Sequence, residues 1–564
     1  MKTSRYVLTA CALILSVEAF GQTGELSASV TKLQQLVVPV QTASKSYEPS
    51  VSFHEPAVIH YSYDETDQKG NKVRYAYEFN LSDIDPYAVR EQTQKDIISV
   101  VLAVRNKQKL VKVYKDEEVQ PYDDQVSILS KDIENARAIS EAVKKAIGPA
   151  EKIMAERLKL SGYDATLAWL TGNIGNVELG TTTYKQSLAK SDRIGSMQLT
   201  QTEANGKTAA EDVYTFNLAD INVNSINYKI TGNKFAIRFE TVQNAKYIAA
   251  RRNGEVRPYV DDLTIVTNNV DEARDLKTVL ALAAGLAEEK VKADMPAIAS
   301  EKDALQQLKS LTREITTGSK QIGQEFEAQC SCSLTQVEKD AKSSKKYFYK
   351  FNWIDVNPAA NKINVTGDRL FITVAMNDGK KLIMLSVDDK FSGYENDLKL
   401  YMPDIETARR ARFALDKAVE KCKSSYKEPF GGDAASLTSW IIGNVNDVIL
   451  DDVTVKQTLE TAEAGQHNKL KYTQRELNSK GSGAEEVYEL NLSDINPLSI
   501  ELEVKGKWLY VVMETDFKGK IIKYYKDGKI QPYASRLAFA INDVDASRSM
   551  VSALKKAVNA LKPK

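Results

Sequence analysis

"YEFNLSDIDP", residues Tyr77–Pro86, is written three more times with small changes: "YTFNLADINV" at Tyr214–Val223, "YKFNWIDVNP" at Tyr349–Pro358 and "YELNLSDINP" at Tyr488–Pro497. Its asparagines, Asn80, Asn217, Asn352 and Asn491, stand 137, 135 and 139 residues apart. An arginine follows each at an unvarying 57 residues: Arg137, Arg274, Arg409 and Arg548. A gap that holds across four copies without insertion marks one rigid unit, and a period this long is that of a whole domain, not of a solenoid repeat. The length of 564 residues points the same way, because single hydrophobic cores stop growing at roughly 250–300 residues.

Around each arginine the apolar residues have helical spacing. Four positions before it stand Ile133, Val270, Ile405 and Val544; two after, Ile139, Leu276, Ala411 and Met550; six after, Val143, Leu280, Leu415 and Leu554. With the ninth and tenth positions these form one stripe on an amphipathic helix. The ninth is Ala146, Ala283, Ala418 or Ala557, small enough for the helix to lie close on a sheet. Asp132, Asn269, Asp404 and Asp543 supply N-caps five residues before each arginine.

Ahead of the helix the period is two. The second copy reads as seven β-rich runs: "VELGTTTYKQSL", "SMQLTQTEA", "DVYTFNLADI", "SINYKITG", "KFAIRFETV", "KYIAARR" and "DDLTIVT". Asn253-Gly254, Asp378-Gly379 and Asp527-Gly528 are hairpin-turn signals. Seven antiparallel strands closed by one C-terminal helix resembles the pleckstrin-homology superfold. The resemblance implies an α+β, multi-domain chain of four tandem PH-like modules, each a seven-stranded, partly open antiparallel barrel closed by its C-terminal helix. Module boundaries are expected at 22–149, 150–296, 297–429 and 430–564, with linkers at Ile147–Glu151, around Met295-Pro296 and at Tyr426–Ser436, where Pro and Gly break the periodicity. A leading segment that recurs around Trp169 and Trp440, each 17 residues before a glutamine (Gln186, Gln457), adds a short N-terminal helix to the barrel.

Within the repeated phrase Tyr77, Phe79 and Leu81 share a strand face and read as core. Asn80, Asn217, Asn352 and Asn491, with Asp83, Asp220, Asp355 and Asp494, read as organisers of the turn that follows, and each arginine as paired with an acid of its own module. The alternative is a ligand site of Asn, Asp and Arg present four times. "QPY" or "RPY" recurs at Gln120–Tyr122, Arg257–Tyr259 and Gln531–Tyr533, and the third copy departs there with "FSGYENDLKLY". Pro-Tyr is expected to start the last strand and place its ring on the helix; exposed, Tyr122, Tyr259 or Tyr533 would anchor a peptide.

Residues 1–21 carry a basic start, an apolar run and small residues at Ala19 and Gly21, the pattern of a secretory signal peptide cut before Gln22. The run before Cys11 is too short for a lipid-anchored leader, so no anchor is expected. Basic and acidic residues balance at 76 each, which gives no net pull on nucleic acid. After the leader Cys330, Cys332 and Cys422 remain. In an oxidising compartment one disulfide and one thiol are expected, with Cys422 facing either of the other two. Three histidines, His54, His60 and His467, offer no catalytic or metal-binding pattern. "DETDQKGN" at Asp64–Asn71 lacks the acidic twelfth position of a calcium loop and reads as a hairpin turn.

The expectation is an exported protein, periplasmic or extracellular, without cofactor, metal or catalytic residues, that engages protein or peptide partners. The PH-like resemblance implies a route, addition of an extended peptide to the edge of strand 5 beside the closing helix. The alternatives are an envelope array in which modules act as spacers, and an enzyme with its site in the third module.

Overall fold

A computed structural model describes residues 24–179, 182–204, 209–232, 234–317, 320–463, 465–478 and 480–562. The expected signal peptide and Cys11 lie outside these residues. The chain forms two compact units, one ending at Asp294 and one starting at Met295. Each unit holds two modules of the same build, so the four-fold repeat read from the sequence is present as four similar sheet-and-helix bodies.

The first module opens with helix α1 (residues 24–36) and continues with β1 (Val40–Gln41), β2 (Lys45–His54), β3 (Val58–Asp67), β4 (Lys72–Asn80), β5 (Arg90–Gln94), β6 (Ile97–Ala103), β7 (Val111–Lys115), β8 (Glu118–Asp123) and β9 (Gln125–Ser130). It closes with α2 (Ile133–Arg157). A six-stranded antiparallel sheet runs β1-β2-β3-β4-β7-β8, and a three-stranded one runs β5-β6-β9. The other three modules repeat both orders. Their leading helices are α3 (Gly162–Asn173), α5 (Glu301–Leu311) and α7 (Ala434–Gly443), and their closing helices α4 (Val270–Ala293), α6 (Ile405–Ser425) and α8 (Val544–Leu561).

Nine strands per module replace the seven expected, for two reasons. The first run is a hairpin: in the fourth module Val448–Leu450 and Val453–Thr461 flank a turn with Asp451 at φ 53°. The Pro-Tyr segment is also a strand of its own, exposed enough to hide its alternation. Proline lacks the ladder donor and is confined to edges, and Pro121, Pro258 and Pro532 all sit on the edge strand of the six-stranded sheet. Pro-Tyr therefore does not start the last strand.

Local signals were otherwise faithful. Asp132, Asn269, Asp404 and Asp543 each cap a closing helix by accepting the N–H three residues on. The stripe after each arginine is buried throughout. Asn253-Gly254 and Asp527-Gly528 form the β7–β8-type hairpin turn with both residues at positive φ. Asp116-Glu117 and Asp388-Asp389 do the same in the other two modules, so Asp378-Gly379 belongs to the preceding loop instead. In every copy the first turn residue also accepts an N–H from the neighbouring strand: Asp116 from Arg74, Asn253 from Glu211, Asp388 from Lys346 and Asp527 from Glu485.

The linker expected at Ile147–Glu151 lies inside α2, which runs through Pro149 to Arg157. Ile147 and Ala150 are buried on either side of the proline, and Ile153 and Met154 pack on the same core. Continued burial of that face outweighs the ~3 kcal/mol that proline costs a helix interior. One core runs through both modules of the first unit, from Leu26 to Ala287.

A glutamine, buried in the second and fourth modules and half-buried in the third, stitches the two sheets together. Gln186 donates to the carbonyls of Gly175 and Val266 and accepts from the Val266 N–H. Gln324 holds Arg313 and Tyr401 in the same way, and Gln457 holds Asn446 and Ala540. In the first module Pro49 stands at the corresponding place in the register, and the Tyr61 hydroxyl accepts the Leu129 N–H instead.

Candidate functional site

Each copy of the repeated phrase ends its strand in a one-turn 3-10 helix. Asn80, Asn217, Asn352 and Asn491 cap that turn, their Oδ1 accepting the N–H two residues on. The next short polar residue, Asp85, Asn222, Asn357 or Asn496, caps the following turn in the same manner. The asparagines thus organise the turn as expected. Gly195 shows how closely: at φ 76° its backbone lies against Asn217, and an added Cβ would come within 2.2 Å of the Asn217 Oδ1.

The aspartates of the phrase do something else. Asp83 takes the guanidinium of Arg274, from the closing helix of the next module, through Nε at 3.2 Å and a second bond from Nη2. Asp355 takes Arg548 in the same two-point way, with Nε at 2.8 Å. The partners are 191 and 193 residues apart in sequence. A bidentate pairing of this kind fixes direction as well as distance. Each arginine is also paired with an acid one turn earlier on its own helix, Asp271 or Asp545, so the expected in-module pairing is present and incomplete.

The rest of the junction is built around these pairs. In the first unit Val270, at the start of α4, lines a small cavity with Phe79, Leu110 and Tyr122 of the first module. Tyr122 meets Phe235 of the second module edge-on, ring centroids 4.4 Å apart, and not its own helix as expected. Arg157 at the end of α2 pairs with Asp275 of α4. In the second unit Val544 lines the matching cavity with Phe351, Met384 and Tyr394. Asp545 there accepts from Asn352 Nδ2 at 3.1 Å and from Ser331 at 3.2 Å. Tyr394 occupies the place of Tyr122 in the third module, so the tyrosine persists where "QPY" does not.

Burial and charge act together on these groups. Burial works to lower the pKa of Arg274 and Arg548, but the carboxylates of Asp83 and of Asp355 and Asp545 outweigh it and hold both guanidinium groups above their ordinary value. Burial pushes Asp355 up against the pull of Arg548. Burial opposes the shift of Asp545 too, yet Arg548, Asn352 and Ser331 bring its carboxyl below the usual range. Burial raises the Tyr394 hydroxyl to about 12.

The remaining residues named from the sequence fall as follows. Arg137 pairs with Glu134 on its own helix at 2.7 Å, in solvent. Arg409 pairs with Glu406. Asp220 is buried, Asp494 is half-buried, Tyr259 is partly covered and Tyr533 is exposed. Cys330 and Cys422 form a disulfide, and Cys332 is buried as a thiol. The strand begins only at Ser331, so strand alternation does not put Cys330 on the inward face that Cys332 shares with the core. Burial lifts the Cys332 thiol to about 12. Among the described residues one group of three possible metal ligands occurs, Glu301 with Cys330 and Cys422, and its two sulfurs are bonded to each other. "DETDQKGN" bends between β3 and β4, with Asp67 accepting the Asn71 N–H.

Sequence reasoning missed the cross-module partners of Asp83 and Asp355 and the stitching glutamine. The glutamine had a signal: its fixed distance from Trp169 and Trp440. No protein-family description, curated protein or solved structure matches this chain.

Proposed function

We propose that the chain is an exported, non-catalytic scaffold whose four PH-like modules engage protein or peptide partners by strand addition. The observation that carries this reading is the fifth strand of each module, β5 and its counterparts Asn227–Thr231, Lys362–Thr366 and Glu501–Lys505. Each is an edge of the three-stranded sheet and packs beside its closing helix. β5 is exposed along most of its length. Such an edge presents unpaired N–H and C=O groups that an extended peptide can complete, with side chains lodging in the adjoining groove. Four edges on one chain multiply weak affinities by avidity. No helix among the described residues is long and apolar enough to cross a membrane.

A second reading has the modules as spacers in an envelope array, and the twice-built Asp–Arg junction favours it. A photo-crosslinking residue placed at Gln92, Lys229, Asn364 or Glu503, in mature protein incubated with an envelope extract, separates the two. Partner peptides joined at these edges support the scaffold. Crosslinks absent there, or equally frequent at solvent-facing control positions, refute it.

A further inference from the structure

The junction seen twice inside this chain has two halves, and each chain end carries one half open. The donor half is the start of a closing helix, with its apolar first residue and its arginine. The acceptor half is the phrase aspartate with an apolar residue and a tyrosine from β7, β8 or their surroundings. Where the junction is made, the donor residues are covered: Val544 is 9 % exposed and the Arg274 side chain 10 %. The first module's donor half is bare, with Ile133 41 % exposed and the Arg137 side chain 65 %.

The acceptor half shows the same contrast. Leu110 is 3 % exposed and Tyr394 is 8 % exposed. Their fourth-module counterparts, Ile521 and Tyr533, are 52 % and 44 % exposed. Asp494, the counterpart of Asp83 and Asp355, has no ion pair among the described residues, whereas Asp220 and Arg409 are engaged. Two isolated apolar residues on a surface need no explanation. Apolar residues exposed at both ends, each beside the charge that its covered counterpart pairs, form the two faces of one contact.

We propose that this chain associates head-to-tail with a second copy of itself, the first module's α2 start docking on the fourth module's acceptor face, with Arg137 on Asp494, Ile133 beside Ile521 and Tyr533. The two faces differ, so the contact is heterologous: it closes into a ring or grows as an open filament. Glu134 already holds Arg137 in the arrangement that Asp271 and Asp545 give the arginines of the made junctions. The proposal goes beyond the peptide-binding reading and does not depend on it.

The test is sedimentation velocity of the purified mature chain from about 1 to 100 μM, at low salt and at 0.5 M salt. The expected result is a weight-average mass that rises with concentration and falls with salt, since exposed charges are screened over about 10 Å at 0.1 M. R137E alone and D494R alone each set like charges face to face and should stay monomeric. An equimolar mixture of the two restores one native and one reversed ion pair per repeat and should reassociate. Arg137 faces solvent and Asp494 is half-buried, so circular dichroism checks that each variant is folded before its mass is read. A monomer at every concentration, association unchanged by either variant, or a mixture that stays monomeric would each overturn the proposal.

Discussion

Replacing Arg274 by alanine takes from Asp83 its ion-pair partner, leaving it with only about a tenth of its side chain in solvent and only the more distant charge of Lys277 acting on it. Breaking a buried pair from one side costs about 3–5 kcal/mol, because the surviving charge must be desolvated unpaired or neutralised. Asp83→Ala should cost less, about 2–3 kcal/mol, since Arg274 keeps Asp271, whose side chain is about half exposed. The double variant should cost less than the sum, with a coupling of about 2 kcal/mol. At a concentration where the chain is monomeric, Arg137→Ala is the internal control: the same residue at the same helical position, in solvent, where such a pair contributes less than about 0.5–1 kcal/mol. Hydrogen exchange by mass spectrometry reads these values locally in the full chain. A loss of about 3 kcal/mol appears as a 100- to 200-fold fall in protection of the first turns of α4 and of residues 77–86. Equal effects of Arg274→Ala and Arg137→Ala, or strict additivity of the Asp83 and Arg274 variants, would refute the junction's role.

Thiol titration without reductant, on protein prepared to start at Gln22, should find no reactive group in the native state and one per chain in denaturant, because Cys332 is buried and its pKa is lifted to about 12; a thiol that reacts natively would contradict this. Replacing both Cys330 and Cys422 by serine opens a loop of 92 residues, worth about 4–5 kcal/mol in the chain-entropy picture, and should lower the unfolding midpoint of the second unit by several degrees. Burial raises the hydroxyls of Tyr61, Tyr228, Tyr349 and Tyr472 above their ordinary value. Their unfolded values near 10 lie below the folded ones, so the stability they contribute is complete below about pH 10 and falls as pH rises above it. Absorbance at 295 nm should show these tyrosines ionising together with unfolding; smooth titration in a folded protein would count against it. Phe517 is fully exposed at φ 54° in a loop whose counterparts are Asn106, Gln243 and Asp378. Phe517→Asn should raise thermal stability by about 0.5–1 kcal/mol, and a loss would show that the ring is held by something in solution.

The repeat, its helix caps, the buried stripe and the turn-capping asparagines were legible in the sequence because each is a local fact: Asp132 meets the N–H of Asn135 three residues away, and Ile139, Val143 and Ala146 share a face by helical spacing alone. Strand number was less legible, since a two-residue turn such as that at Asp451 interrupts an otherwise continuous β-rich run, and an exposed edge strand such as Glu255–Val260 has no buried face to alternate with. The partners of the charges were not legible. Every phrase aspartate and every helix arginine looks alike along the chain, and each arginine has a satisfactory acid one turn away. Only the packed modules bring Asp83 to Arg274 and Asp355 to Arg548 across some 190 residues, and only they leave Ile133 and Ile521 bare at the ends. An ion pair has no sequence period: it is decided by which surfaces desolvate together, and that is a property of the assembled fold.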